Sequence, residues 1–305
     1  MSDSVLAVDV GGTNIKFGVV KDGTLKEVVT IPTEAELGKD IVIKKIIDII
    51  KAQPSEIKSV GIAIAGLVEH SKGVVFSPPN LPGWANVKLK EIIENEAGVN
   101  AYVLNDANAY AIGEWKYGAG HNKENVIAIT LGTGVGGGII ANGRLLIGST
   151  HFAGEIGHMV IDPLGPPCNC GQRGCWEAYL GSDYFVKRVK SYYNHDNLSL
   201  EEYTTKFLYK LAKEGDYKAI SLWQEYGEFL GLGLVNLIHI FDPDIIVLGG
   251  GIANAFEFFI ESCLDVLSER VMEFQKRKVQ IVKAKLNDAA ALLGAYYYAL
   301  MEGDV

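Results

Sequence analysis

The feature that most constrains the fold is an internal repeat. The opening stretch VLAVDVGGTNIKFGVVKDGTL aligns on NVIAITLGTGVGGGIIANGRL in the second half, with Asn142-Gly143 standing where Asp22-Gly23 stood. Further on, DIIVLGGGIA answers SVGIAIAGLVE, and VQIVKAKLNDAAALLGA answers AYVLNDANAYAIG, including a second Leu-Asn-Asp. Apolar runs flanking Asp-Gly or Asn-Gly signal hairpins, and apolar residues at helical spacing over 38–52 signal a helix. Each copy therefore reads strand, hairpin, strand, helix, strand, helix. Two such copies predict two α/β domains of duplicated topology facing a central cleft. Ligands of such sheets bind beyond the carboxyl ends of strands, where Gly12, Gly66, Asn105, Gly132 and Gly250 fall.

The expected division is a first domain over 1–113, joined by a final helix over 289–305, and a second domain over 114–288. An extra segment of the second half carries three of the four cysteines, within Cys168 to Cys175. A chain of 305 residues exceeds what one small core needs. The net charge of -9 with no basic cluster argues against nucleic acid, which requires grouped Lys and Arg. No signal-like opening and no apolar run of membrane-spanning length occurs, so a cytoplasmic chain with no membrane partner is expected.

Chemistry concentrates where strands meet glycine. The turns Asp9–Thr13, with Gly11 and Gly12, and Leu131–Gly138, with Gly132, Thr133 and Gly134, offer backbone N–H donors and a threonine hydroxyl to phosphate oxygens. Asp9 can hold Mg2+ directly or through water, and Lys16 supplies positive charge nearby. Either loop alone reads equally well as a tight hairpin requiring φ > 0. Two of them in matching repeats, with Gly249, Gly250 and Gly251 after a third strand, point to a nucleotide. Neither fits the Walker pattern.

Asn105 and Asp106 stand where a strand gives way to a helix, and a carboxylate there can take a proton from a hydroxyl. Asp106 can equally be a helix cap, and Asp288, in the second Leu-Asn-Asp, is read as one. The run HFAGEIGHMVIDPLGPPCNCGQRGCWEAY bears on the choice. His158, Cys168, Cys170 and Cys175 supply one imidazole and three thiolates, the donor set of a closed structural zinc site. Glu155 and Glu177 flank those ligands and suit sugar hydroxyls. Cys263 reads as buried filler and Trp84 as packing.

In these residues the chain resembles the ROK family (repressors, open reading frames and kinases). The DxGGT opening, the Asn-Asp pair, LGTGVGGG, ExGH and CxCGxxGCxE are all present and in order. The resemblance implies the actin-like ATPase superfold (ribonuclease H-like), with two hairpin loops clamping phosphates and Gly249–Gly251 lying against adenosine. It implies an ATP-dependent kinase acting on the 6-hydroxyl of a hexose, foremost glucose, with Asp106 as base. Asn105, Glu155, His158 and Glu177 would contact sugar, Gly66 and Asn80 would belong to its pocket, and cofactors would be ATP, Mg2+ and structural Zn2+. Kinases of N-acetylmannosamine, N-acetylglucosamine or fructose share these motifs, and polyphosphate is an alternative donor. A sugar-responsive repressor is disfavoured because eight residues precede Asp9. A homo-oligomer, dimer or tetramer, is expected from relatives.

Overall fold

The computed structural model describes residues 4–76, 81–193, 204–273 and 279–303. It divides into two compact units: Met1–Glu124 with Gly138–Gly154 and Ala284–Val305, and Asn125–Gly137 with Glu155–Lys283.

In the first unit, apolar runs rich in Val and Ile form the centre of a sheet, as β-branched residues favour. Strand β1 (Val5–Val10) pairs antiparallel with β2 (Asn14–Lys21) and parallel with β5 (Ser59–Ile64), which pairs parallel with β9 (Asn100–Asn105). The short β3 (Thr24–Leu25) and β4 (Val29–Pro32) both pair with β2. A side sheet joins β6 (Leu67–Glu69), β7 (Val74–Phe76) and β8 (Val87–Lys88).

Helices α1 (Lys39–Lys51) and α2 (Leu89–Ala97) share a core with one set of alternating strand residues, including Val8, Val10, Ile62 and Val103. The opposite set, Val5, Ala7 and Val20, packs with Leu292, Leu293 and Tyr296 of the final helix. The two-residue period of a strand separates these cores. Trp84 is buried in the first of them.

Helix α3 (Asp106–Tyr117) follows β9 with no loop, as the sequence leads one to expect. The final helix α9 (Ala290–Gly303) packs on α3 at backbone distance. A Cβ at Gly113 would meet Ala290 O at 2.0 Å, and one at Gly294 would meet Ala109 O at 1.7 Å.

The second sheet orders β12 (Arg144–Leu145), β11 (Val135–Ala141), β10 (Val126–Leu131), β13 (Ile245–Gly249) and β14 (Gln280–Lys283). Strands β10, β13 and β14 are parallel. Helices α4 (Glu177–Leu180), α5 (Ser182–Tyr192) and α6 (Thr205–Lys213) fill the extra segment. They are followed by α7 (Tyr217–Phe241) and α8 (Phe256–Arg270), which pack together, with Cys263 fully buried as expected. Among the described residues no helix is long and apolar enough to cross a membrane.

Candidate active site

The first unit gathers charge at the ends of β1, β2 and β9. Asp9 lies opposite Lys16 in the β1–β2 register, so both side chains point to one face. Lys16 Nζ in turn lies 3.0 Å from Asp288 Oδ1. Asp9 is pushed up to about 7, first by burial and then by the charge of Asp106, with Asp288 adding and Lys16 opposing. Asp9 thus feels two other carboxylates and one ammonium, and such an excess of negative charge suits a divalent cation. Asp9 could hold one.

The Gly11–Thr13 turn is braced from β4's end. Thr33 Oγ1 donates to Gly11 O at 2.7 Å, and Thr33 N donates to Thr13 O at 2.9 Å. Thr13 is exposed at the crest, as is Thr133 in the matching turn of the second unit. The alternative reading of these loops as tight hairpins requiring φ > 0 does not hold, because Gly11, Gly12, Gly132 and Gly134 all lie outside the positive-φ set. Steric approach is the remaining reason for glycine, and at Gly132 a Cβ would face open space within 4 Å.

Asn105, not Asp106, is the cap of α3. Its Oδ1 accepts from Asn108 N at 3.0 Å, while its Nδ2 donates to Gly66 O at 3.0 Å and to Asp106 Oδ1 at 3.1 Å. Gly66 holds φ 98°, which favours glycine. Asp106 Oδ1 also accepts from Ala107 N at 2.9 Å. Burial pushes the Asp106 carboxyl above the ordinary range, with the Ala107 and Asn105 hydrogen bonds opposing. The side chain is thus half-buried, oriented by a neighbour and biased toward accepting a proton.

The second unit carries the metal-type cluster. Ligand atoms of His158, Cys168, Cys170 and Cys175 all lie within 4.8 Å of one another. Cys170 and Cys175 Sγ are 3.6 Å apart, and Cys168 Sγ is 3.8 Å from His158 Nδ1. A tetrahedron of ~2.3 Å metal–sulfur bonds has edges of roughly 3.8 Å, so the residues fit zinc. Burial, with the neighbouring thiols adding, raises Cys175 to about 12; a bound cation reverses such a penalty.

Glycine makes the loop possible. Gly171 and Gly174 have φ 90° and 69°, and a Cβ at Gly174 would meet Asp162 O at 1.5 Å. His158 Nε2 faces Glu155 Oε2 at 4.0 Å. Glu177 Oε2 accepts from Val135 N at 3.0 Å, and a Cβ at Gly134 would meet it at 2.3 Å. Glu177 therefore ties the cysteine loop to the glycine turn, a contact the sequence did not announce. The turn's other end is held by Ser182 N donating to Gly132 O at 2.9 Å.

After β13, buried Gly249 leads to Gly250 at φ 83°, where a Cβ would meet Leu131 O at 2.4 Å, and to exposed Gly251. Asp288, read as a helix cap, lies in a 3₁₀ turn and points to Lys16 instead. Asn80 lies outside the described residues.

The family model that matches this pattern is that of the ROK family, over residues 5–302. This chain belongs to the ROK family. Its fold matches ROK kinase structures, as the resemblance carried by its motifs implied. A ROK glucokinase from Streptomyces griseus, solved in complex with glucose and AMPPNP, has TM-score 0.86 and 31% identity, with 98% of this chain and 99% of that one covered. The glucokinase of Thermotoga maritima is 34% identical over 302 residues, 95% of each chain. The xylose repressor of Bacillus subtilis is 32% identical over 262 residues, 85% of this chain and 66% of the repressor. ROK members thus include proteins named as kinases and as repressors.

Proposed function

We propose that this ROK chain is an ATP-dependent hexokinase that converts glucose to glucose 6-phosphate. The observation that carries the reading is Asp106, a half-buried carboxylate oriented by Asn105 and raised above its ordinary proton affinity. It sits on the same unit as the Gly11–Thr13 turn. The complex of the Streptomyces griseus relative with glucose and AMPPNP supports both substrates.

Phosphoryl transfer asks the protein for alignment and for an acceptor of the hydroxyl proton. Asp106 takes the proton of the glucose 6-hydroxyl as that oxygen bonds the γ-phosphorus. The bond from phosphorus to the β–γ bridging oxygen breaks, leaving ADP. Backbone N–H groups of the Gly11–Thr13 turn and the ammonium of Lys16, on one unit, receive phosphate oxygens. Gly249–Gly251 presents a side-chain-free surface to adenosine. Mg2+, when bound through Asp9, would offset phosphate charge. Zn2+, held by His158, Cys168, Cys170 and Cys175, would brace the loop that carries Glu155 and Glu177 toward sugar hydroxyls. Asn105 keeps the base in place.

A coupled ADP-release assay with glucose, mannose, fructose and the two N-acetylhexosamines tests the reading. The expected outcome is sugar-dependent ADP release with the highest kcat/KM for glucose. Release indifferent to every sugar contradicts it.

A further inference from the structure

Glu114 has no part in the chemistry above, yet it is a fully buried carboxylate. It lies on the last turns of α3, about two helical turns beyond Asp106. No ion pair involves it among the described residues. A buried charge of this kind is costly unless hydrogen bonds replace its water, and three backbone N–H groups do so. Oε2 accepts from Ala119 N at 2.8 Å and from Lys285 N at 3.2 Å, and Oε1 accepts from Leu286 N at 2.7 Å.

These donors come from two places that are remote in sequence. Ala119 lies just past α3, shortly before the chain leaves the first unit at Glu124, and Lys285 and Leu286 lie just after it returns at Ala284. Glu114 O accepts from Gly118 N at 3.1 Å and Gly120 N at 2.8 Å, which secures the outgoing segment a second time. The returning segment then turns through Asn287 at φ 49° and presents Asp288 to Lys16 at 3.0 Å. The close α3–α9 contact at Gly113 and Gly294 leaves the segment little room to slide.

We propose that Glu114 is a positioning residue for the nucleotide side of the reaction. By fixing the backbone at Lys285 and Leu286 it sets Asp288, which holds the Lys16 ammonium beside Asp9 for the phosphates. The proposal rests on the kinase reading for the identity of the ligand. Asp288 is 89% exposed in its side chain, and so exposed an ion pair adds little to stability. Its removal therefore reads position rather than folding.

The test compares wild type, Glu114→Gln, Asp288→Asn and the double variant for kcat, KM of MgATP and KM of glucose. A glutamine keeps one acceptor oxygen and turns an NH2 toward N–H donors, so part of the clasp is lost. Each single variant is expected to raise the KM of MgATP roughly fivefold, with the glucose KM unchanged and the double variant no worse than the worse single. An unchanged KM of MgATP in Asp288→Asn, or losses that multiply in the double variant, overturns the relay. Should Glu114→Gln fail to fold, Asn287→Gly loosens the same link while leaving the clasp in place. It is expected to raise the KM of MgATP likewise, and an unchanged KM again overturns the relay. Calorimetric titration of the same variants with MgADP separates this inference from the function. A wild type inert to all sugars would strike the hexokinase reading and leave the relay to these dissociation constants.

Discussion

Leu104-Asn105-Asp106 and Leu286-Asn287-Asp288 are the same three residues at equivalent points of a repeat, and they end up doing different things. In the first, β9 runs directly into α3, Asn105 sits at φ −63° as the cap, and Asp106 enters the helix half-buried. In the second, β14 stops at Lys283, Asn287 turns left-handed at φ 49°, and α9 begins only at Ala290. Asp288 is thereby pushed out to solvent and onto Lys16. The same side chain is the proposed base where the strand-to-helix junction is tight and a salt-bridge partner where a turn intervenes. What separates the two is the length of connection and not the chemistry of the residues.

The largest effect expected from this difference is on turnover. Asp106→Asn removes the proton acceptor but keeps its shape, and should lower kcat by about 10³-fold or more, the upper part of the range for general base catalysis. Asp288→Asn should lower kcat less than about tenfold in the same ADP-release assay, since it removes a partner of Lys16 and no reacting group. Equal losses would erase the distinction between the copies.

A smaller effect concerns what the front copy's crowding of carboxylates costs. Asp9 is raised from 3.8 to about 7, so the folded chain binds a proton there that the unfolded chain has lost. The stabilising contribution of that proton is complete below about pH 4 and disappears as pH rises through about 7. Asp9→Asn, uncharged at every pH, should therefore raise the Tm of the metal-free, nucleotide-free protein by a few degrees at pH 8 and by less near pH 4. A pH-independent gain would mean that burial of the charge is not its source. Catalysis has the opposite sensitivity: Asp106 is raised as well, so activity should fall as pH drops and the base becomes protonated.

The smallest effects lie in the asparagines. Asn105→Ala should cost about 1 kcal/mol or somewhat more through loss of the cap. Asn287→Gly should change stability by no more than roughly 0.5 kcal/mol, because glycine accepts a left-handed backbone without strain. Denaturant melts of the two variants sharpen the contrast, and similar losses would blur it.

Much of this was legible beforehand, for identifiable reasons. Strand-to-glycine turns repeat at fixed offsets, so β1–β2 and β10–β11 could be read from the letters alone. Cys168, Cys170, Cys175 and His158 sit in one short run, where local loop geometry suffices to bring their ligand atoms within 4.8 Å. The contacts of Glu114, Asp288 and Thr33 were invisible because their partners lie far off in sequence. Thr33 reaches Gly11 through the β2–β4 register, and Glu114 reaches Leu286 across most of the chain. Glu177 was seen as a sugar ligand, while its hold on Val135 N depends on how α4 meets the glycine turn. At Gly132 the alternative of a hairpin requiring positive φ fails, since its φ is not positive and a Cβ there would face open space.

The most direct test of Asp106 as the base is a crystal structure of this chain with glucose and a non-hydrolysable ATP analogue. The expected result is the glucose 6-hydroxyl within about 3 Å of an Asp106 carboxylate oxygen, the reach of a proton transfer. A 6-hydroxyl bonded to another carboxylate, with Asp106 beyond hydrogen-bonding distance, would contradict it.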